Sequence, residues 1–244
     1  MIEFNIKVIE ECISTNSYLL DLGKQGYPEG FSLLALNQTA GKGTKNKEWI
    51  SLKGNLFLST LVKPNVKKSC WHQISMIAGY SLYEYLISIG IDKNMVKIKW
   101  PNDVLVEHKK VSGILVEAFK NLCVIGIGLN IITSPKRNEI TKFTSCLNDF
   151  ISVKELKLTE ISSSFLKNFY KNYQIWLNYS LKPFCDNIYG VLAYLDQTIE
   201  FIYDKKKYIG IISGISSMGL LKVSISEKQY LYLSSSESII YKGS

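Results

Sequence analysis

The segment from residue 96 to residue 129 constrains the fold most, because four short apolar stretches follow one another there. Stretches of this length that are rich in Val, Ile and Leu and separated by a few turn residues are typical of strands. The middle of the chain is therefore predicted to be rich in strands. The four stretches cover residues 96–100, 104–106, 111–118 and 122–129.

On either side of this segment, apolar residues alternate with polar ones or recur at helical spacing. Ser14 or Thr15 is a candidate cap for the first helix, Ser69 for the second, and Gly90 follows the second. Residues 40–48 lack apolar periodicity and are predicted to form a loop. Strands are predicted at residues 4–8, 31–36 and 55–62, and helices at residues 15–23, 70–89 and 158–178.

After Pro183 the pattern changes to short strands at close spacing, separated by turn signals such as Asp204-Lys205 and Met218-Gly219. This spacing predicts a small all-β barrel of about 60 residues. The chain is accordingly divided into a catalytic-type domain over residues 1–184 and a C-terminal domain over residues 185–244. The predicted C-terminal strands cover residues 198–203, 208–214, 220–226 and 230–233.

Composition excludes several classes of protein. With 244 residues, of which 46% are apolar, the chain is long enough for a real core. No apolar run reaches the length of a membrane span or of a signal peptide, so a cytoplasmic protein without membrane association is expected. Five scattered cysteines without a C-x-x-C pair favour neither disulfides nor zinc. His72 and His108 lack ligand-type neighbours, so no metal site is predicted.

The net charge of +8 raises the possibility of a nucleic-acid-binding protein. However, the lysines are spread over the whole chain, and Arg137 is the single arginine. Dispersed, solvated lysines are the favoured interpretation over a nucleic-acid surface. The shortage of arginine also means that any phosphate must be held by lysine or by backbone N–H groups.

The loop around Gly41-Lys42-Gly43 lets the backbone approach a ligand, while Lys42 and either Lys45 or Lys47 supply positive charge. Its spacing fits neither a P-loop nor a dinucleotide-binding fingerprint. Trp49 ends the loop and is either a core residue or a stacking platform for a base or an apolar ring.

A second motif is Lys99-Trp100-Pro101-Asn102-Asp103. Strand alternation places Lys97 and Lys99 on one face, and a desolvated lysine there suits a phosphate or carboxylate. Asn102 and Asp103 either form a turn or orient or deprotonate a nucleophile. A third stretch, residues 126–130, ends in Asn130 and fits a bulge or the end of a strand as well as a ligand contact.

In order and spacing, these motifs resemble the biotin protein ligases. The resemblance covers most of residues 10–147 and rests on the whole set of motifs together. The matching residues are Ser14-Thr15-Asn16, Gln38, Gly41-Lys42-Gly43, Trp49, Ser51, Gly54-Asn55-Leu56, Ser59, Lys99 to Asp103, Lys110, Gly113-Ile114-Leu115, Glu117, Gly128 and Asn130.

The resemblance implies an α/β (α+β) fold, with a class II synthetase-like catalytic domain containing a mixed sheet and a C-terminal SH3-like β-barrel. It implies that biotin attacks the α-phosphate of ATP, with Mg²⁺, to give biotinyl-5'-AMP. A specific lysine of a biotin carboxyl carrier domain of a biotin-dependent carboxylase then takes the biotin and releases AMP. A homodimer is left open. A lipoate or octanoate ligase or transferase of the same fold is the alternative, although its glycine-rich segment and His-Asp pair are not found.

The resemblance also implies roles for particular residues. Lys99 would bridge the biotin carboxyl oxygen and the α-phosphate, and Asp103 is the second candidate catalytic residue. The biotin-binding residues would be Ser14, Thr15, Asn16, Gln38, Lys42, Gly43, Thr44, Lys99 and Gly113. The adenylate-binding residues would be Gly41, Lys42, Lys47, Trp49, Asn102, Lys110 and Asn130.

Two departures from the family pattern carry expectations. Thr44 and Lys47 stand where the family has arginines, so weaker retention of biotinyl-adenylate is expected. The motifs begin at Ser14, which leaves no room before them for the helix-turn-helix domain of repressor-type members. No sequence-specific binding to nucleic acid is therefore expected.

Overall fold

The computed structural model describes residues 3–136, 143–236 and 239–241; Arg137 lies outside these ranges. The helices are α1 Thr15–Lys24, α2 Ile74–Ser88, α3 Leu158–Tyr179 and α4 Cys185–Val191. The strands are β1 Asn5–Cys12, β2 Phe31–Gln38, β3 Leu56–Val62, β4 Val96–Lys99, β5 Asp103–Val106, β6 Lys109–Phe119, β7 Leu122–Leu129, β8 Thr198–Tyr203, β9 Lys206–Ile215, β10 Leu221–Ser226, β11 Gln229–Leu233 and β12 Ile240–Tyr241.

The larger sheet has seven strands in the order β1-β2-β3-β7-β6-β5-β4. Strands β1 and β2 are parallel and are joined through α1, whereas the other neighbours pair antiparallel. The predicted mixed sheet and the strand-rich middle are confirmed. Short turns join β4 to β7 because each strand pairs with the next one along the chain.

One face of this sheet is covered by α2 and α3. Helix α3 presents an aromatic stripe at helical spacing, formed by Phe165, Phe169, Tyr173 and Trp176, which are all buried. Successive rings of this stripe lie 5.6–6.0 Å apart. This layer forms the main core and fixes the sheet from behind.

The opposite face carries the shorter helix α1, whose Leu19 packs against Leu61, Leu122 and Val124. This small cluster covers one end of the central strands and leaves the other end of the same face free of any helix. The uncovered end holds the cavity described below.

The three predicted helices are present, but α4 was not predicted, the start of α2 is later than expected, and one cap was wrong. Helix α2 begins at Ile74 after a 3-10 turn over Lys68–Gln73, so Ser69 does not cap it. Ser14 occupies the N-cap position of α1, but its side chain makes no capping hydrogen bond. Gly90 follows α2 with a φ of +100°, as expected for a residue after a helix end.

The C-terminal sheet has five antiparallel strands in the order β11-β10-β9-β8-β12. The four predicted strands are confirmed, and β12 adds a fifth. In the described ranges, β11 and β12 are the outer strands, so the SH3-like barrel closure and the domain boundary at residues 184/185 stay predictions. Within the same ranges, no helix has the length and apolar character needed to cross a membrane.

Candidate active site

The cavity lies over a transverse row of residues on the α1 face of the larger sheet. Strand register joins Lys99 to Asp103, Asp103 to Gly113, Gly113 to Gly128, and Gly128 to Phe57. Because neighbouring strands lie about 4.8 Å apart, side chains of such a row stand side by side on one face. The two glycines open a gap in the middle of the row.

The polar end of the cavity is built from the N-terminus of α1. Thr15 donates its backbone N–H to Oε1 of Gln38 at 2.8 Å, and its hydroxyl lies 3.1 Å from the same oxygen. The hydroxyl of Ser59 donates to Oδ1 of Asn16 at 2.7 Å and lies 2.8 Å from Oγ1 of Thr15. Ser14, Thr15, Asn16 and Gln38 line the cavity, so the predicted biotin-binding residues at this end are brought together.

Glu117 links this polar end to the glycine-lysine loop. Its Oε2 accepts a hydrogen bond from Nδ2 of Asn16 at 2.9 Å, which orients the amide so that Oδ1 faces Ser59. Its Oε1 lies 3.8 Å from Nζ of Lys42. Lys42 is half exposed, so this ion pair contributes little to stability and leaves the lysine free to change partners.

The loop folds back over the cavity as a short hairpin. Lys42 and Glu48 form an antiparallel bridge, and the N–H of Trp49 donates to the carbonyl of Gly41 at 2.8 Å. Gly43 and Thr44 line the cavity. Gly41 and Lys47 support the hairpin backbone but are not among the lining residues.

The indole of Trp49 lies against Gly113 and Gly128. A Cβ atom at Gly128 would come within 2.3 Å of the indole, and one at Gly113 within 2.8 Å. The two glycines are therefore required for this close approach. Trp49 Nε1 is buried and finds no partner among the described residues, so it is an available hydrogen-bond donor.

Lys110 supplies the positive charge at this end of the cavity. Its Nζ lies 2.5 Å from Oδ1 of Asp103 and 5.4 Å from the centre of the Trp49 ring. Asp103 is buried, with 7% of its surface exposed, so its negative charge is compensated chiefly by this lysine. Asp103 holds Lys110 in place and does not itself line the cavity.

Lys99 is placed differently from the expectation that it bridges the ligand's carboxyl and phosphate groups. It shares a face with Lys97, as predicted, but it stands at the outer end of the transverse row and does not line the cavity. Its ammonium faces the rings of Tyr194 and Tyr241. Lys110, which was predicted to contact the adenylate, does line the cavity. The bridging role of Lys99 stays a prediction.

Two asparagines complete the predicted set. Asn102 lines the cavity and ties the turn before β5 to β6 by donating Nδ2 to the carbonyl of Ile114 at 2.9 Å. Asn130 is buried at the end of β7 and donates Nδ2 to the carbonyl of Ser145. Its Oδ1 has no partner in the described part of the chain. A nucleotide contact by Asn130 stays a prediction.

Sequence reasoning gave no role to Ser51, Ser59 and Glu117, although all three occur in the motifs. Ser51 accepts from Nε2 of Gln38 and fixes that amide, while Ser59 and Glu117 fix Asn16. Ser51 and Glu117 each stand between two apolar neighbours, whereas Ser59 follows Leu58 and precedes Thr60. Such a residue needs a partner when it is buried.

The free space in the cavity is about 50 Å³. Small-molecule sites usually enclose roughly 300–1,000 Å³. Trp49, Gly43 and Thr44 of the loop line the space that remains.

Comparisons with known proteins give the family and the fold. The pattern that defines the Biotin/lipoate A/B protein ligase family matches residues 8–130, half of the chain. A solved structure titled biotin protein ligase from Aquifex aeolicus in complex with biotin and ATP superposes with a TM-score of 0.84. It is 28% identical and covers 97% of this chain and 99% of that one.

Two relatives known by sequence are the bifunctional ligase/repressor BirA of Salmonella typhimurium and the biotin–[acetyl-CoA-carboxylase] ligase of Mycobacterium tuberculosis. The first is 27% identical over 228 residues, which cover 89% of this chain and 68% of the relative. The second is 32% identical over 135 residues, which cover 54% of this chain and 51% of the relative.

The chain therefore belongs to the biotin/lipoate A/B protein ligase family. Within the family, the Mycobacterium tuberculosis relative and the Aquifex aeolicus structure carry names of biotin ligases.

Proposed function

We propose that this protein is a biotin protein ligase. It activates biotin with ATP to biotinyl-5'-AMP and pyrophosphate, and it then transfers biotin to a specific lysine of a biotin carboxyl carrier domain. The observation that carries the proposal is a cavity with a neutral hydrogen-bonding end and a cationic, aromatic end on one sheet face. The names of similar proteins point to the same activity.

The neutral end suits the ureido ring of biotin. Thr15, Asn16 and Gln38 offer hydroxyl and amide groups whose orientations are fixed by Ser59, Ser51 and Glu117. Preorganised neutral groups favour a polar, uncharged ring, because they reach it without reorganising. A lipoyl or octanoyl chain has no such ring, so this end favours biotin over the alternative substrates.

The cationic end suits the reacting groups. In the first step, a biotin carboxylate oxygen bonds to the α-phosphorus and pyrophosphate leaves with the electron pair of the broken P–O bond. Lys110 is the group that stabilises the negative charge shared by the carboxylate and α-phosphate oxygens. Trp49 stacks on the adenine, and Asp103 keeps Lys110 from rotating away.

In the second step, the amine of the carrier lysine attacks the acyl carbon of the mixed anhydride. The bond from that carbon to the phosphate oxygen breaks, AMP leaves, and the amine loses a proton as the amide forms. In this proposal, Lys110 remains beside the phosphate oxygens and stabilises the leaving AMP.

Magnesium enters this proposal with the nucleotide. In the described ranges there is no group of three or more His, Cys, Asp or Glu side chains able to hold a metal ion. The two carboxylates nearest the cavity, Asp103 and Glu117, already pair with Lys110, Lys42 and Asn16. Mg²⁺ commonly binds through substrate phosphates with few protein ligands. We therefore assign it to the MgATP substrate.

The remaining parts of the proposal concern partners and location. The carrier is a domain of a biotin-dependent carboxylase, and the reaction takes place in the cytoplasm. The lysines are dispersed, so any binding to nucleic acid rests on phosphate contacts alone and weakens steeply with salt. A homodimer stays open.

The test is pyrophosphate exchange into ATP, measured with biotin and separately with lipoate and octanoate. The proposal predicts exchange that depends on biotin and does not respond to the two fatty acids. Equal responses to biotin and lipoate would contradict it, and exchange with lipoate alone would support the alternative ligase.

A further inference from the structure

Strand β4 is the outer strand of the larger sheet, and its residues contact the C-terminal part of the chain one after another. The N–H of Ala193 donates to the carbonyl of Ile98 at 2.8 Å. Nε1 of Trp100 donates to the carbonyl of Gly219 at 3.0 Å, in the turn between β9 and β10. The C-terminal sheet is thereby fixed to the strand that leads into the cavity.

Between these two contacts, Lys99 meets two tyrosines. Its Nζ lies 4.0 Å from the centre of the Tyr241 ring and 5.0 Å from that of Tyr194. The two rings are themselves in contact, with centres 4.5 Å apart. The two distances from Nζ to the ring centres are within the roughly 6 Å over which a ring face attracts an ammonium.

The two tyrosines come from different parts of the C-terminal region. Tyr241 belongs to β12 and pairs in register with Ile199 of β8. Tyr194 lies in the connection before β8 and has a φ of +61°, a conformation that is uncommon for a bulky residue. Strained backbone of this kind persists where the surrounding contacts hold it in place.

Lys99 is also a neighbour of Asp103, the residue that positions the Lys110 ammonium in the cavity. It stands directly opposite Asp103 in the strand register, and Asp103 holds Lys110. Burial raises the pKa of Tyr241 and of Tyr194, and the negative charge of Asp103 raises both further. The rings are therefore neutral at physiological pH.

We propose that Tyr194 and Tyr241 form an aromatic clamp that holds the Lys99 ammonium beside the Asp103–Lys110 pair, which makes β12 a positioning element of the adenylation site. The effect of the clamp on adenylation rests on the proposed function. The clamp fixes the position of the Lys99 charge near Asp103. That charge in turn affects how firmly Asp103 holds Lys110. Tyr241 is thus a positioning residue that does not touch substrate.

The first experiment compares Tyr241→Leu, which removes the ring, with Tyr241→Phe, which keeps it. The readout is biotin-dependent pyrophosphate exchange with MgATP, separated into kcat and KM. Tyr241→Leu is expected to lower kcat/KM about tenfold, and Tyr241→Phe to remain within about twofold of the wild type. Tyr232→Leu, which removes an exposed tyrosine from β11 at the opposite edge of the same sheet, is the matched control and should leave kcat/KM unchanged.

A double-mutant cycle with Lys99→Met then tests whether the ring acts through the lysine. Lys99→Met alone is expected to cost about as much as Tyr241→Leu, and the double variant no more than either. Additive losses would overturn the clamp, as would equal activity of Tyr241→Leu and the wild type. If Tyr241→Leu fails to fold, Tyr194→Leu takes its place in the same cycle.

The same double-mutant cycle, measured as the free energy of unfolding of each variant, tests the clamp independently of catalysis. Significant coupling between Lys99 and Tyr241 is expected in urea unfolding, and zero coupling would overturn the proposal. If the cycle shows this coupling but the wild-type protein shows no biotin-dependent exchange, the proposed function is contradicted and the clamp still stands. The two failures are therefore distinguishable.

Discussion

The middle and the outer end of one transverse row differ in what they face. In the middle, Gly113 and Gly128 lack side chains, and the space above them takes the indole of Trp49 and the ammonium of Lys110. At the outer end, Lys99 stands on the same face but meets Tyr194 and Tyr241 of the C-terminal region. Two lysines of one sheet face thus receive different partners because of which element covers each one.

The motif from Lys99 to Asp103 therefore has two functions. Its first half, Lys99 and Trp100, anchors the C-terminal sheet, whereas Asn102 contacts the cavity and Asp103 holds Lys110. A change in the first half should therefore alter positioning, and a change in the second half or in Lys110 should alter chemistry.

The largest expected effect follows from Lys110→Met. Loss of a preorganised cation at developing charge costs about 3–4 kcal/mol, so adenylate formation should fall roughly a hundred- to a thousandfold. Single-turnover formation of biotinyl-adenylate measures it. Lys109→Met is the matched control, since Lys109 is an exposed neighbour on the same strand. A loss of similar size in the control would show that the effect is general and not tied to the cavity.

Next comes Thr44→Arg in the loop. Thr44 lines the cavity but supplies no charge, and a charge-assisted hydrogen bond from arginine contributes about 1.5–3 kcal/mol. The variant should release preformed biotinyl-adenylate about ten- to a hundredfold more slowly than the wild type, in the absence of carrier. Thr198→Arg, on the exposed part of β8, is the control. Equal release rates for Thr44→Arg and wild type would mean that another loop lysine, such as Lys45, already compensates.

A smaller effect is expected from Gly128→Ala. The new methyl group would lie 2.3 Å from the indole, so Trp49 must leave its place in the cavity. The KM for ATP should rise about tenfold, because a stacking contact of about 1–3 kcal/mol is disturbed. Gly190→Ala introduces the same methyl where no atom lies within 4 Å. An unchanged KM and an unchanged Trp49 fluorescence in Gly128→Ala would contradict the assigned position of the indole.

The smallest effect concerns the turn that supports β6 and β7 behind Lys110. Ser145 donates its hydroxyl to Asp149, and this bond is the main reason that the pKa of Asp149 lies below its ordinary value of 3.8. Because the pKa is lower in the folded state, the stabilisation is present above pH 3.8 and is lost as the pH falls through the folded-state pKa.

Ser145→Ala should therefore lower the free energy of unfolding at neutral pH, and the difference from wild type should shrink as the pH falls below 3.8. Urea unfolding at several pH values measures this. In an Asp149→Asn background the pH-dependent part should vanish. A difference that stays constant with pH would show that Asp149 does not respond to Ser145.

The sequence predicted the elements better than it predicted the contacts between them. Strands such as β8 and β3 could be located because apolar period and length are local properties. The start of α2 was missed because the 3-10 turn before it has the same apolar content as the helix. Such a turn is distinguished by backbone geometry and not by composition.

Among the site residues, Thr15, Gln38, Trp49 and Lys110 could be assigned to the cavity from their motifs. The direction of Lys99 could not, because it depends on Tyr194 and Tyr241, which lie far along the chain. Long-range packing of this kind leaves no local pattern in the sequence.

The most direct test is biotin-dependent pyrophosphate exchange by Lys110→Met and Lys99→Met, measured side by side against wild type. The proposed arrangement predicts biotin-dependent exchange by the wild type, a loss of roughly a hundred- to a thousandfold in Lys110→Met and only about tenfold in Lys99→Met. A greater loss in Lys99→Met than in Lys110→Met would contradict it, because the bridging cation would then be the lysine that the structure places beneath the two tyrosines.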